Sequence, residues 1–262
     1  MFFLTTCPLW LSALILLGPT TVLAMAGPFI IRRFVELSRL RTNNEVAGFK
    51  FATVGVLYAV LLAFAIIVVW EKFNDADNGV AKEAGAAATI YRLTGGLDTV
   101  HGDALRKAMT DYLNITIDKD WPAMQQGKSS SAATAALNNI YAVVLKFQPK
   151  DNSGSVLFGE LLRQVDTVSQ ERRARLVTAN GIVPSIVWMV LFTGAALTIG
   201  FTFFFGAENI RAQAVMTGVL SILVFAGLLT IITIDHPFAG SVRVGPEALA
   251  AVLEDFAAAP PH

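Results

Sequence analysis

Charge is scarce in this chain: only 15% of its 262 residues are Asp, Glu, Lys or Arg, and the 20 basic and 20 acidic residues cancel. Without a basic excess to neutralise phosphates, nucleic-acid binding is excluded as a main activity. Cysteine is scarcer still. Cys7 stands alone, which excludes an internal disulfide and any cysteine-built metal centre. The histidines are His101, His236 and His262, none near another in sequence, so a histidine metal site is not expected. Also missing are a His-Glu-x-x-His helix, a Gly-x-Ser-x-Gly turn and a glycine-rich phosphate loop. No catalytic residues, cofactor or metal are expected, and the chain does not read as an enzyme.

What the chain has instead is apolar residues, 54% of the total, with a mean hydropathy of +0.57. Four windows are free of charge and long enough to cross about 30 Å of hydrocarbon, which takes roughly 20 helical residues. They are Leu9 to Ile31, Phe51 to Trp70, Ile182 to Phe205 and Ala212 to Ile234. The second carries twelve Leu, Ile, Val or Phe residues, worth about 4 to 7 kcal/mol of favourable insertion. An amphipathic surface helix would show a polar face, and these windows lack one. The sequence thus predicts an all-α protein with four transmembrane helices. The Gly18-Pro19 and Gly27-Pro28 pairs in the first span read as a kink near an interface or, less simply, as a break of the transporter kind.

Between the second and third spans, residues 71 to 175 hold 13 basic and 13 acidic residues. Apolar residues there recur at spacings of three and four, as in Phe73, Ala76, Val80, Ala84, Ala87 and Tyr91, so the second span is expected to continue as a helix into water. Further helices are expected over 103–121, 132–147 and 156–180, with breaks at Gly95-Gly96, at 125–131 and at 149–154. They make an antiparallel helical bundle inserted between spans 2 and 3. The expected divisions are 1–70 for the first two spans and a short basic connector, 71–181 for the bundle, 182–234 for the last two spans, and 235–262 for a turn and tail. The acids Asp98, Asp103, Asp111, Asp118, Asp120, Asp151 and Asp166 read as solvated helix faces, and His101 has no evident partner.

The connector from Arg32 to Lys50 has five basic residues against two acids, while residues 1 to 8 have none, which places the connector in the cytoplasm and the bundle outside. Arg172, Arg173 and Arg175 at the bundle's membrane end argue for the reverse. Ala24-Met25-Ala26 has the form of a signal-peptidase site, but no positive segment precedes it.

In the second span, Gly55, Ala59 and Ala63 lay a ridge of small side chains suited to close helix packing. On an adjoining stripe Phe51, Tyr58, Leu62 and Ala65 project together. They form either an apolar constriction around a symmetry axis or packing against other spans of the same subunit. Polar groups at the span ends, Asn44, Glu45 and Lys50 on one side and Asp235 and His236 on the other, are pore-mouth candidates or solvated loop ends.

The stretch Asn44-Glu45-Val46-Ala47-Gly48-Phe49 running into Gly55 to Phe64, with Glu83-Ala84-Gly85 and Tyr91-Arg92-Leu93 after it, is similar to a bacterial family of bestrophin-like membrane proteins. The turn Asp235-His236-Pro237-Phe238 directly after the fourth span resembles the corresponding turn of bestrophin channels. The resemblance implies a homo-oligomer, pentameric in true bestrophins, in a bacterial inner membrane. It implies second helices lining an apolar neck at Phe51, Tyr58 and Leu62, with passage mainly of anions. Pro237 and Phe238 would occupy the post-span turn. It also implies a cytoplasmic bundle, against the charge count. The acidic run that binds calcium in animal bestrophins is replaced here by Ser241-Val242-Arg243-Val244-Gly245, so calcium gating is not expected. The implied partners are the bilayer and further copies of the chain; the permeating ion is not specified. The other reading is a non-conducting membrane sensor or scaffold whose bundle meets a partner.

Overall fold

A computed structural model describes residue 5 and residues 7–258; residues 1–4, 6 and 259–262, His262 among them, lie outside the described residues. Among the described residues the regular structure is entirely helical. The α-helices are α1 (Leu9–Phe34), α2 (Leu37–Thr42), α3 (Asn44–Leu93), α4 (Thr99–Ile115), α5 (Trp121–Met124), α6 (Ser131–Val144), α7 (Asn152–Thr178), α8 (Ser185–Thr202), α9 (Ile210–Ile234) and α10 (Glu247–Ala258). Four of them, α1, α3, α8 and α9, are long and apolar enough to cross a membrane. α8 is three residues shorter at each end than the charge-free window, because Pro184 lacks the N–H an inner turn needs and Phe203 to Phe205 leave the helix. Its 18 residues still reach about 27 Å, close to the hydrocarbon thickness.

The chain divides into two compact units. The first comprises Met1–Glu71 and Ile182–Asp235. In it α1 lies chiefly along α9, with α8 beside both. α1 runs through Pro19 and Pro28 as one helix, so neither Gly-Pro pair breaks it. Small residues set the close approach: a methyl added at Gly218 would meet Met25 Sδ at 3.0 Å. Leu16, Leu229 and Ile232 form its buried apolar cluster with Trp188, Phe192 and Phe225 around them.

The second unit comprises Lys72–Gly181 and His236–His262. Its core includes Val80, Ile90, Leu105, Met109, Ile140, Leu161 and Val165, the inner stripes of α3, α4, α6 and α7. Asp98, Ser130 and Asp151 cap α4, α6 and α7 by accepting backbone N–H groups three residues on. α10 was not anticipated. It starts after Pro246, buries Leu249 and Phe256 in this core, and stacks Phe256 on Tyr91 at 3.7 Å between ring centroids. Residues 236–258 thus belong to the bundle unit, with Phe238, Val244, Leu249 and Phe256 in its core. The Tyr91 hydroxyl donates to the Phe256 carbonyl at 3.2 Å, tying α10 to the end of α3.

Candidate functional site

α3 is a single helix of 50 residues, about 75 Å long at 1.5 Å per residue. Its membrane segment has two unlike faces. Tyr58 is only 6% exposed; its hydroxyl donates to the Leu191 carbonyl at 3.2 Å, and its ring fills the space over Gly194, where an added methyl would come within 2.6 Å. One turn on, Leu62 fills the space over Gly227 of α9, 2.7 Å from where a methyl would stand. Phe51 packs its ring on Phe201 and Phe205 at 5.9 and 5.7 Å. Ala65 lines an apolar cavity of about 400 Å³ with Val187 and Leu191. All four residues expected at a constriction therefore face α8 and α9 of their own chain, the packing alternative. The phenol finds its hydrogen-bond partner in a backbone carbonyl within the subunit; Phe51, Leu62 and Ala65 stay half-buried.

The opposite face is bare. At about 100° per residue, Val56, Val60, Ala63 and Ile67 fall on the side away from Tyr58, Leu62 and Val69. Val56 is 63% exposed, Val60 48% and Ile67 59%. Ala59 and Ala63 of the small-residue ridge are exposed, and Gly55 has open space where a side chain would stand, so no helix among the described residues covers that ridge.

The polar span ends divide. Asn44 clasps Gly206 in both directions, its amide donating to the Gly206 carbonyl at 3.0 Å and its oxygen accepting the Gly206 N–H at 2.8 Å. Asp235, 3% exposed, accepts the N–H groups of Ile182 and Val183 at 3.0 and 2.7 Å. Both are staples within the chain, because a backbone donor next to a span must be satisfied locally. Glu45 and Lys50 are exposed at the start of α3, and His236 is half-buried. Pro237 accepts the Val244 N–H at 2.7 Å, and Phe238, fully buried, meets the Trp121 ring edge-on at 5.8 Å. The post-span turn is a structural corner of the bundle unit.

Sequence reasoning missed a buried charge cluster in the bundle. Arg175 grips Glu83 with two bonds of 3.0 Å, and Arg172 grips Asp120 with bonds of 3.0 and 3.2 Å. Arg175 also stands 3.5 Å from Asp120 and 4.6 Å above the Trp121 ring. Tyr112 donates to Glu83 at 2.6 Å, and Asp120 accepts the Ser130 N–H at 2.8 Å. None of the four charged side chains exceeds 7% exposure. Burial, with the Glu83 carboxylate beside it, pushes the Tyr112 phenol well above its ordinary value. Burial alone would lower Arg175, but Glu83, Tyr112 and Asp120 outweigh it and hold the guanidinium charged more firmly than usual. Asp120 is therefore not on a solvated face, and Arg172 and Arg175 are interior groups. The acid comes from a π-helical segment, Thr116–Asp120, whose extra residue turns Asp120 inward. His101 also has a partner, Asp98, at 2.7 Å. Among the described residues no cluster of His, Cys, Asp or Glu is arranged to hold a metal.

Four helices long and apolar enough to cross a membrane, with a helical insert after the second, define an integral membrane protein. The Bestrophin-like domain matches residues 18–249, and the chain belongs to that family. Among solved structures, a single-substitution variant of a bacterial bestrophin homologue from Klebsiella pneumoniae matches with TM-score 0.69 at 12% identity, over 92% of this chain and 97% of that one. Another structure of a Klebsiella pneumoniae bestrophin homologue matches with TM-score 0.68 at 14% identity, over 92% and 98%. A crystal structure titled only as a membrane protein variant gives 0.68 at 12% identity, over 92% and 96%. No match was found among curated proteins.

Proposed function

We propose that this protein is an oligomeric ion channel of the bestrophin type, residing in a bacterial inner membrane, with α3 lining the pore. The observation that carries this reading is the bare, charge-free stripe Val56, Val60, Ala63 and Ile67, on the helix whose other face meets α8 and α9 through Tyr58 and Leu62. Copies of such a stripe around an axis make a narrow apolar passage that conducts when wetted and closes when dry. Pentameric assembly and a preference for anions rest on the family resemblance, with the basic excess of the 32–50 connector in their favour. On this reading the neck lies at the stripe opposite Tyr58 and Leu62.

Cysteines placed singly at Val60, Ala63, Tyr58 and Leu62 test this in membranes with a water-soluble thiol reagent, on a background lacking Cys7. Labelling at Val60 and Ala63, protection at Tyr58 and Leu62, and block of chloride flux in liposomes by the label are the expected results. Protection of Val60 and Ala63 together with absence of flux would sink the channel reading. The second reading, a non-conducting sensor or scaffold, would then stand on the unbroken run of α3 between residues 44 and 93, which can carry a displacement along its length.

A further inference from the structure

At one end of the membrane unit the structure holds a second cavity, of about 490 Å³, beside the start of α3 and the α8–α9 hairpin. Its lining has two chemistries. Asn44, Thr202, Gln213 and Thr217 are polar, whereas Phe51, Phe205, Met216 and Leu220 are apolar. Gln213 and Thr217 are 4% and 3% exposed, so these polar groups are built into the interior. Gln213 is fixed by donating to the carbonyls of Thr202 and Phe205 at 3.2 and 2.7 Å. Its remaining oxygen accepts from Arg32 at 3.2 Å, and Arg32 also donates to the Ala207 carbonyl. Both of these Arg32 partners border the cavity.

Arg41 is paired with Glu208, whereas Arg32 donates to the neutral oxygens of Ala207 and Gln213, and its Nε is buried with no hydrogen-bond partner among the described residues. A half-buried guanidinium held by neutral oxygens and not by a carboxylate keeps a positive potential that favours an anion, and its planar fork suits phosphate oxygens. The apolar half decides which anion. Met216 is 61% exposed and lies on the same bare apolar surface of α9 as Val215 and Val219, at 55% and 63%. In a spanning helix such a surface meets acyl chains. A cavity whose wall residues Ala207 and Gln213 hold a half-buried cation, and whose other side continues into lipid-facing surface, fits an amphiphile.

We propose that this cavity binds an acidic phospholipid, its phosphate at Arg32 and the first part of one acyl chain against Phe51, Phe205, Met216 and Leu220. Binding is read without flux, so its failure leaves the channel reading untouched. The test is native mass spectrometry of the full chain released from detergent containing dioleoyl phosphatidylglycerol or dioleoyl phosphatidylcholine. Wild type retains phosphatidylglycerol at about tenfold lower lipid concentration, as expected for charge-assisted hydrogen bonds. Arg32→Gln abolishes that preference. Leu220→Trp fills the apolar end, leaves Arg32 in place and also loses the retained lipid, which covers the case in which the arginine variant does not fold. Inorganic phosphate at millimolar concentration does not displace the lipid. Equal retention of the two lipids by wild type, retention unchanged in folded Leu220→Trp, or displacement by phosphate alone would overturn the proposal, the last by making the cavity a free-anion site.

Discussion

The Glu83, Asp120, Arg172 and Arg175 cluster shows why a charged residue resists assignment from sequence alone. On a helical wheel Asp120 and Asp118 are equally plausible surface acids; what separates them is a π turn and two arginines more than fifty residues away, neither of which leaves a local signal. Burying these ions is compensated only by their mutual pairing, so removing one partner strands the other. Glu83→Gln is expected to cost about 3 to 5 kcal/mol, read as a lower midpoint of thermal or denaturant unfolding in detergent. A double change, Glu83→Gln with Arg175→Met, should recover part of that loss, because no unpaired charge then remains at that position. The sequence did offer one clue that passed unused: Glu83 falls on the same helical face as Ala76, Val80 and Ala87, all of which are core positions. A carboxylate in an apolar stripe needs a buried cation, and Arg172 and Arg175 were the candidates.

At the level of elements, the spans were legible and their contacts were not. A window without charge over twenty residues has few soluble explanations, and so α1, α3, α8 and α9 fall where hydropathy puts them. The rotation of α3 depends instead on which neighbour offers space, and that information sits in glycines of other helices. Gly194 and Gly227 are the sockets for Tyr58 and Leu62. Gly194→Ala should push the Tyr58 ring out of place and destabilise the solubilised protein by about 1 to 3 kcal/mol. Tyr58→Leu on that background should restore most of the loss by removing the ring that collides. Equal unfolding midpoints for Gly194→Ala and wild type would show that the ring has room to give way. α10 was missed for a simpler reason: twelve residues near the chain end with one turn of apolar spacing cannot be told from a tail without the Tyr91 ring on which Phe256 stacks.

At the scale of the whole molecule, the bare side of α3 is the feature that calls for other copies of the chain. A charge-free helix that buries one face and shows Val56, Val60, Ala63 and Ile67 on the other is satisfied by lipid or by itself, and the Gly55, Ala59 and Ala63 ridge favours close approach by another helix. Light scattering of the purified protein, with detergent subtracted, should therefore return a mass several times 28.1 kDa; a single-chain mass under mild detergent would remove the basis for a shared axis. The two sockets bear on how such an assembly would open. A rod keyed to its companions by an aromatic ring at one level and a leucine one turn further on cannot spin like a tap, since any twist must withdraw both teeth at once. α8 and α9 must travel with it. Widening by outward lean of whole subunits, as the leaves of an iris move, would keep both teeth seated.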